Sequence, residues 1–276
     1  MQTILVSGPS GFIGKKIIEY LDLEGFNLKL VLRPSKLQEF SNLSDGHERI
    51  VTNNIFAEKE DWWLRALDGV DALIHAAWYT KQKDYQVSVE NFKCLAGSLE
   101  MLSAVSQSNI KKLVGLGTCA EYKLGSRNLA VTDPLDPQTP YAISKYCFYK
   151  SAQSLLSDSK IIFNWCRLFY VWGDGENKDR FVPYLRGKLE ANEPALLSDG
   201  SQIRDYVEVG LAARKIVKVA TSDITGDFNI CSGKAISIRE FAERIADEYG
   251  KRELLMFGAR ALNSFDPARV VGISNV

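Results

Sequence analysis

The chain has 276 residues, 46% hydrophobic and 25% charged, with 34 basic and 34 acidic side chains and a formal net charge of zero. That length can bury one large core or two modest ones, and the charge balance excludes a polybasic surface for nucleic acid or anionic membrane. No apolar run reaches membrane-spanning length, and the N-terminus lacks the basic start and cleavage site of a secretion signal. Five cysteines (Cys94, Cys119, Cys147, Cys166, Cys231) form no C-x-x-C pair, and His47 and His75 are far apart. These counts predict a reducing, cytoplasmic setting and no metal site.

Ile4 to Val6 is an apolar run that breaks into Gly8-x-x-Gly11-x-x-Gly14, followed by an amphipathic stretch from Lys15 to Leu23. The order reads as buried strand, tight turn and helix start. Side chains at Gly8 or Gly11 would push the backbone away from a bound pyrophosphate, and Gly14 allows the helix to pack closely on the strand. Leu28 to Leu32 is a second strand, ended by Arg33-Pro34-Ser35-Lys36. In a dinucleotide fold this end lies beside the adenosine ribose, where a carboxylate favours NAD and basic residues favour the 2′-phosphate of NADP. Arg33 and Lys36 therefore predict NADP; a solvated basic turn is the alternative.

A short strand over 48–56 ends at Asn53-Asn54, and Asp61 to Leu67 reads as a helix with one of Trp62 and Trp63 facing inward. Ala72 to Ala77 is another buried strand. His75 within it is either a catalytic base or, as we read it, a strand-end ring hydrogen-bonded to backbone. From Val87 to Gln107, Val89, Phe92, Leu95, Leu99 and Leu102 recur at helical spacing. Lys112 to Thr118 is a strand ending at a hydroxyl, and a proline-rich loop from Asp133 to Pro140 leads to Tyr141-Ala142-Ile143-Ser144-Lys145. Strands alternating with helices predict an α/β fold of Rossmann type, a doubly wound and mostly parallel sheet.

Tyr141 and Lys145 lie four apart at a helix start, hence on one face. An ammonium there should favour the phenolate and bring the tyrosine nearer to useful acid–base chemistry. Lys145 could also grip the nicotinamide ribose, and Thr118 can present its hydroxyl to the same substrate oxygen. In the second half, Val171 to Lys178 is a glycine-rich loop, Phe181 to Leu185 opens a short amphipathic helix, and Asp199 to Val207 is a turn leading to a strand bearing Arg204. A guanidinium there suits a diphosphate, or an internal salt bridge with Asp205.

Gly8-x-x-Gly11-x-x-Gly14, His75-Ala76-Ala77, Asn91, Thr118, Tyr141 with Lys145 and Arg167-Leu168-Phe169 together resemble the extended short-chain dehydrogenase/reductase family. The likeness is to its nucleotide-sugar branch, of NAD-dependent epimerase/dehydratase type. The Gly-Asp-Gly-Glu-Asn-Lys and Gln-Ile-Arg-Asp runs look like those of 4-keto-6-deoxy nucleotide-sugar reductases such as CDP-abequose synthase. The resemblance implies that Tyr141 is the acid–base group, Lys145 orients ribose and tunes it, and Thr118 positions the substrate oxygen. It implies a cofactor site of Gly8, Ser10, Gly11, Phe12, Ile13, Gly14, Arg33, Lys36, Asn54, Ile55, Ala76, Ala77 and Lys145. Its substrate site would comprise Tyr79, Thr118, Cys119, Tyr170, Phe181, Arg204 and Arg260, with Arg269 the rival to Arg260. A Rossmann lobe over 1–167, rejoined by a strand near 206–209, would carry an interleaved substrate lobe over 168–276. A homodimer through the 87–107 helix and the helix from Tyr141 is also implied.

Departures sharpen the expectation. Dehydratases of this branch have Asp-Glu directly after the threonine, where this chain has Cys119-Ala120, and Tyr170 replaces a common asparagine. The chain also stops at Val276, before a final helix that relatives commonly have. The reading is NADPH-dependent reduction of the C4 ketone of a CDP- or dTDP-4-keto-6-deoxyhexose in deoxysugar biosynthesis, with NADP(H) as cofactor and a nucleotide sugar as substrate. A 4-epimerase with bound NAD(P) and a non-catalytic NADP-sensing regulator are the competing readings.

Overall fold

The computed structural model describes residues 2–43, 46–81, 84–125, 127–261 and 266–276. The strands are β1 (Thr3–Ser7), β2 (Asn27–Leu32), β3 (Glu48–Val51), β4 (Ala72–His75), β5 (Lys112–Thr118), β6 (Ile162–Leu168), β7 (Tyr170–Trp172), β8 (Ala195–Leu196), β9 (Ile203–Arg204), β10 (Tyr206–Glu208), β11 (Gly226–Ile230), β12 (Ile236–Ser237), β13 (Leu255–Met256) and β14 (Arg269–Val270). The helices are α1 (Phe12–Leu23), α2 (Glu60–Ala66), α3 (Glu90–Gln107), α4 (Pro140–Leu155), α5 (Phe181–Glu190), α6 (Val209–Thr221) and α7 (Ile238–Tyr249). Among the described residues, no helix is long and apolar enough to cross a membrane.

Seven parallel strands form the central sheet in the order β11-β6-β5-β4-β1-β2-β3. The order reverses between β1 and β4, so the crevice opens beyond their carboxyl ends. Side chains alternate across each strand and separate two cores. Ile4, Val6, Leu30 and Ile74 meet Ile17, Ile18 and Leu21 of α1 and Ala213, Ile216 and Val217 of α6. Leu5, Val31, Leu73 and Leu113 meet Trp63 of α2, Met101, Leu102 and Val105 of α3 and Phe148 of α4. Trp63 is the tryptophan that packs inward.

A third core joins α5 and α7 through Val182, Leu185, Leu189, Phe241, Ala242 and Ile245. Local sequence sets these helices: the Ser237 hydroxyl accepts the Glu240 N–H at the start of α7, and Gly250 ends it in the left-handed region. The segment near 206–209 does not return to the main sheet as expected. β10 pairs with β7 in a separate two-stranded ribbon, because the chain leaves the sheet after Leu168 and carries β7 with it. The element that does rejoin is α6 with β11, whose Phe228 and Ile230 enter the first core.

One further expectation changes. The 48–56 strand is only β3, followed by a tight helical turn at Ile55–Ala57 capped by the Asn54 side chain. The apolar stripe is divided: Leu102 is buried in the second core with Leu95 packed against it, whereas Phe92 and Leu99 of α3 and Val89 just before it are exposed, and Asn91, Cys94, Gly97, Ser98 and Met101 are buried. The inner face must be small because a Cβ at Gly97 would lie 2.4 Å from the Phe56 backbone.

His75 is buried between two hydroxyls, its Nδ1 2.8 Å from Ser7 Oγ and its Nε2 2.9 Å from Ser98 Oγ. The ring bonds to side chains and not, as expected, to backbone. Burial, with Lys145 nearby, pushes its pKa down to about 3. It is therefore neutral in the fold and serves to tie β4 to β1 and α3.

Two predictions follow from this packing. A Cβ at Gly14 would sit 2.2 Å from the Gly8 carbonyl oxygen, so Gly14→Ala should cost about 1–3 kcal/mol in urea unfolding, by overpacking. His75 refuses a proton that the unfolded chain accepts. Its share of stability is complete above the unfolded pKa of 6.5 and is lost as pH falls toward about 3, at up to ~1.4 kcal/mol per pH unit. Urea midpoints between pH 7.5 and 5 should fall more steeply, by about that slope, for the parent than for His75→Gln; parallel slopes would refute the neutral buried ring.

Candidate active site

The crevice at the switch point is a cleft of about 1350 Å³. On its β1 side, Gly8 adopts φ +74°, and a Cβ there would meet the Ala77 nitrogen at 2.7 Å. Gly11 caps α1 without any side-chain hydrogen bond, which leaves the helix's first N–H groups facing the cleft. Backbone approach, positive dipole and open donors fit a dinucleotide pyrophosphate. Gly8, Ser10, Gly11, Phe12, Ile13, Gly14, Arg33, Asn54, Ile55, Ala76 and Ala77 all line this part of the cleft.

Lys36 does not line it. Its ammonium hydrogen-bonds Glu39, which also holds Lys15 at 2.7 Å, because a solvated carboxylate one helical turn away is the nearest counter-charge. Arg33 is thus the basic side chain that the β2 end delivers to the cleft.

On the other half, Thr118 ends β5, and α4 begins at Pro140 with the Thr139 hydroxyl accepting the Ala142 N–H. This start places Tyr141 and Lys145 on the helix's cleft side, and all three side chains line the cavity. The largest influences on the lysine come from elsewhere. Lys145 Nζ donates to the Leu116 carbonyl at 2.7 Å and lies 3.9 Å from the Trp78 ring centroid. Burial lowers its pKa to about 7, against an upward pull from Glu121.

Tyr141 is raised above its ordinary value, first by burial and then by Tyr85, Glu121 and Cys119. The Arg180 guanidinium pulls against that rise. At the reacting pH the phenol is therefore protonated and placed to donate. Cys119, beside it, has its thiol pushed up to about 12 by burial and is no nucleophile.

Of the expected substrate residues, Tyr79, Thr118, Cys119 and Tyr170 line the cleft, whereas Phe181, Arg204 and Arg260 do not. Phe181 stacks on Tyr206 and Phe241, because its apolar ring completes the core between β10 and α7. Arg204 is only 1% exposed. Its guanidinium is held by Asp266 at 2.6 Å and by the Ile203 carbonyl, and it lies over the Tyr170 ring. A charge so buried requires such a partner. Arg260 lies over Tyr184 and donates to its hydroxyl, away from the cleft, and Arg269 donates to Asn128.

Beside α5 the cleft carries the guanidinium of Arg180, which sequence reasoning missed. It caps α5 and lies 6.0 Å from the Tyr85 ring, which in turn meets Tyr141 edge-on at 5.0 Å. Its signal was its place directly before Phe181-Val182-Pro183, where a helix start turns the preceding residue toward the crevice. Trp78 and Tyr85 were also missed. Asn91 fixes both, accepting from the Trp78 indole at 3.0 Å and donating to the Tyr85 carbonyl at 2.6 Å.

Solved structures share this architecture. A UDP-glucose 4-epimerase from Thermotoga maritima, solved with UDP-glucose, superposes with a TM-score of 0.83 at 20% identity, covering 99% of this chain and 90% of that one. A UDP-N-acetylglucosamine 4-epimerase from Methanobrevibacter ruminantium, solved with UDP-N-acetylmuramic acid, gives 0.86 at 20% identity over the same shares, 99% and 90%. In sequence, the dTDP-6-deoxy-L-talose 4-dehydrogenase (NAD(+)) of Aggregatibacter actinomycetemcomitans is 23% identical over 271 residues, 98% of each chain. Residues 4–231 match the NAD dependent epimerase/dehydratase family. That span takes in both the glycine turn and the segment from Thr118 to Lys145, and the chain belongs to this family.

Proposed function

We propose that the protein is a nucleotide-sugar oxidoreductase that reduces the C4 ketone of a 4-keto-6-deoxyhexose nucleotide with NADPH, in deoxysugar biosynthesis. The observation that carries this reading is that Thr118, Tyr141 and Lys145 share one cleft with the glycine cradle and Arg33. Cys119-Ala120, where dehydratases carry an acid pair, argues against elimination of water. The relative named for a 4-dehydrogenase acting on a dTDP-6-deoxy sugar supports redox chemistry at position 4.

In this reading the nicotinamide, when bound, supplies the hydride. Tyr141 gives its phenolic proton to the oxygen that becomes the C4 hydroxyl, and burial keeps that proton in place until a carbonyl arrives to take it. Thr118 hydrogen-bonds the same oxygen and fixes its distance from the phenol. Lys145 holds the ribose side of the site. Arg180 replaces Arg204 and Arg260 as the group that receives the diphosphate, since Arg204 is already neutralised by Asp266. A homodimer through α3 and α4 would cover the exposed Phe92 and Leu99 of α3, Val89 just before it, and Ile143 and Leu155 of α4.

A 4-epimerase with tightly held NAD is the second reading. Glu39 favours it, because this carboxylate neutralises Lys36 at the adenosine end. The test is NADPH oxidation by purified protein offered CDP- or dTDP-4-keto-6-deoxyglucose, with NADH as control. Substrate-dependent oxidation of NADPH is expected, and Tyr141→Phe should abolish it while NADPH still binds. Parent-like turnover in that variant removes Tyr141 as the acid; co-purified cofactor without net consumption turns the assignment to an epimerase. Arg180→Ala should raise KM for the nucleotide sugar about tenfold or more, the worth of a lost charged hydrogen bond, with a smaller change in kcat.

A further inference from the structure

Thr118 is not held in place by its own strand alone. Its backbone N–H donates to Glu121 Oε1 at 2.8 Å, while its hydroxyl accepts the Ala120 N–H at 3.2 Å. The other carboxylate oxygen of Glu121 accepts from the Trp165 indole at 2.9 Å and from Arg167 Nε at 2.8 Å. Glu121 and Arg167 are both fully buried. Burial raises the Glu121 carboxyl above its ordinary value; all three of its partners are N–H donors, one permanently cationic, and none can accept a proton, so the geometry suits a carboxylate.

β5 is shaped around this carboxylate. A Cβ at Gly117 would lie 2.6 Å from Glu121 Oε1 and 2.4 Å from the Trp165 indole nitrogen. A Cβ at Gly115 would lie 2.4 Å from the same indole ring. The strand thus gives up two side chains directly beneath the cleft to seat one buried charge and its donors. A buried ion pair is weak as a source of stability, so the arrangement calls for another role.

We propose that Glu121 is a positioning residue of the active site, a fixed anion beneath β5 that sets the Thr118 hydroxyl. The inference rests on the reading of Thr118 and Tyr141 as the reacting end. The charged and titratable groups around the carboxylate are Arg167, with Asp227 beyond it, and Tyr122, Cys119, Tyr141 and Lys145. Its charge raises both Tyr141 and Lys145.

Glu121→Gln keeps the shape but turns one acceptor oxygen into a donor, set against either the Thr118 N–H or the indole and guanidinium. With NADPH and dTDP-4-keto-6-deoxyglucose as probes, kcat should fall about ten- to a hundredfold from misplaced Thr118, while NADP⁺ binding by fluorescence stays near the parent's. The alkaline limb of the kcat profile should move to lower pH, since removal of the anion lowers Tyr141. On a Thr118→Ala background the loss should vanish. Unchanged kcat and pH profile with only a lower melting temperature, or an equal loss on both backgrounds, would overturn the proposal.

If Glu121→Gln does not fold, Trp165→Phe removes one donor from the same carboxylate. Its kcat loss should likewise vanish on Thr118→Ala, and an equal loss on both backgrounds again overturns it. Thr118→Ala alone separates the two readings. Full activity there would remove this inference and the assigned site together. A loss there with none in Glu121→Gln would remove only the positioning role.

Discussion

The close approach of two backbones where the sheet reverses is the constraint on which the rest depends. Gly8, leaving β1, lies against Ala76 and Ala77, leaving β4, with no room for a single added carbon. Gly14 then lets α1 settle onto the Gly8 carbonyl. These contacts bring the N-terminus of a helix to the lip of the crevice with its amides free. They also align β4 with β1, so that the small residues after His75 form a floor on which a flat cofactor can lie. His75 locks that alignment as a neutral ring between Ser7 and Ser98.

The opposite half of the cleft is governed by electrostatics in a dry environment. Lys145 and Tyr141 each lose hydration, and each moves toward its uncharged form. A neutral, protonated phenol is the correct starting state for an acid, and a lysine near neutrality on the Leu116 carbonyl is ready to respond to a ribose or an anion. The lysine therefore does not need to hold down the phenol in the resting protein. Arg180, at the start of α5 and across Tyr85, is a cation that acts on Tyr141.

Much of this was legible in the sequence, for identifiable reasons. Backbone-dependent features read out well: the glycine turn, the strand alternation and the spacing of Tyr141 and Lys145 constrain local geometry directly. Features set by long-range partners did not. Nothing near Arg204 announces Asp266, sixty-odd positions away, yet that carboxylate removes the guanidinium from the cleft. Of the apolar stripe at helical period, Leu102 enters the core while Val89, Phe92 and Leu99 face outward, and Gly97 lets α3 press against the Phe56 backbone. Periodicity reports that a helix has an apolar face, not which surface that face meets. The 206–209 segment failed for a similar reason, since a three-residue strand carries too little pattern to choose between two sheets.

The adenosine end shows how the remaining choice of cofactor is balanced. Glu39 bridges Lys15 and Lys36, but all three side chains are partly exposed, and ion pairs of that kind are worth about 0–1 kcal/mol. A 2′-phosphate brings more charge than one carboxylate and accepts several hydrogen bonds, so it can draw Lys36 from Glu39 at little cost. A ribose 2′-hydroxyl offers no such exchange and needs an acceptor already facing the cleft. Glu39, occupied by two lysines, does not line it, whereas Arg33 does. In the proposed reading with NADPH, Arg33 would meet the 2′-phosphate first and Lys36 could follow by exchange with Glu39, which does not itself line the cleft.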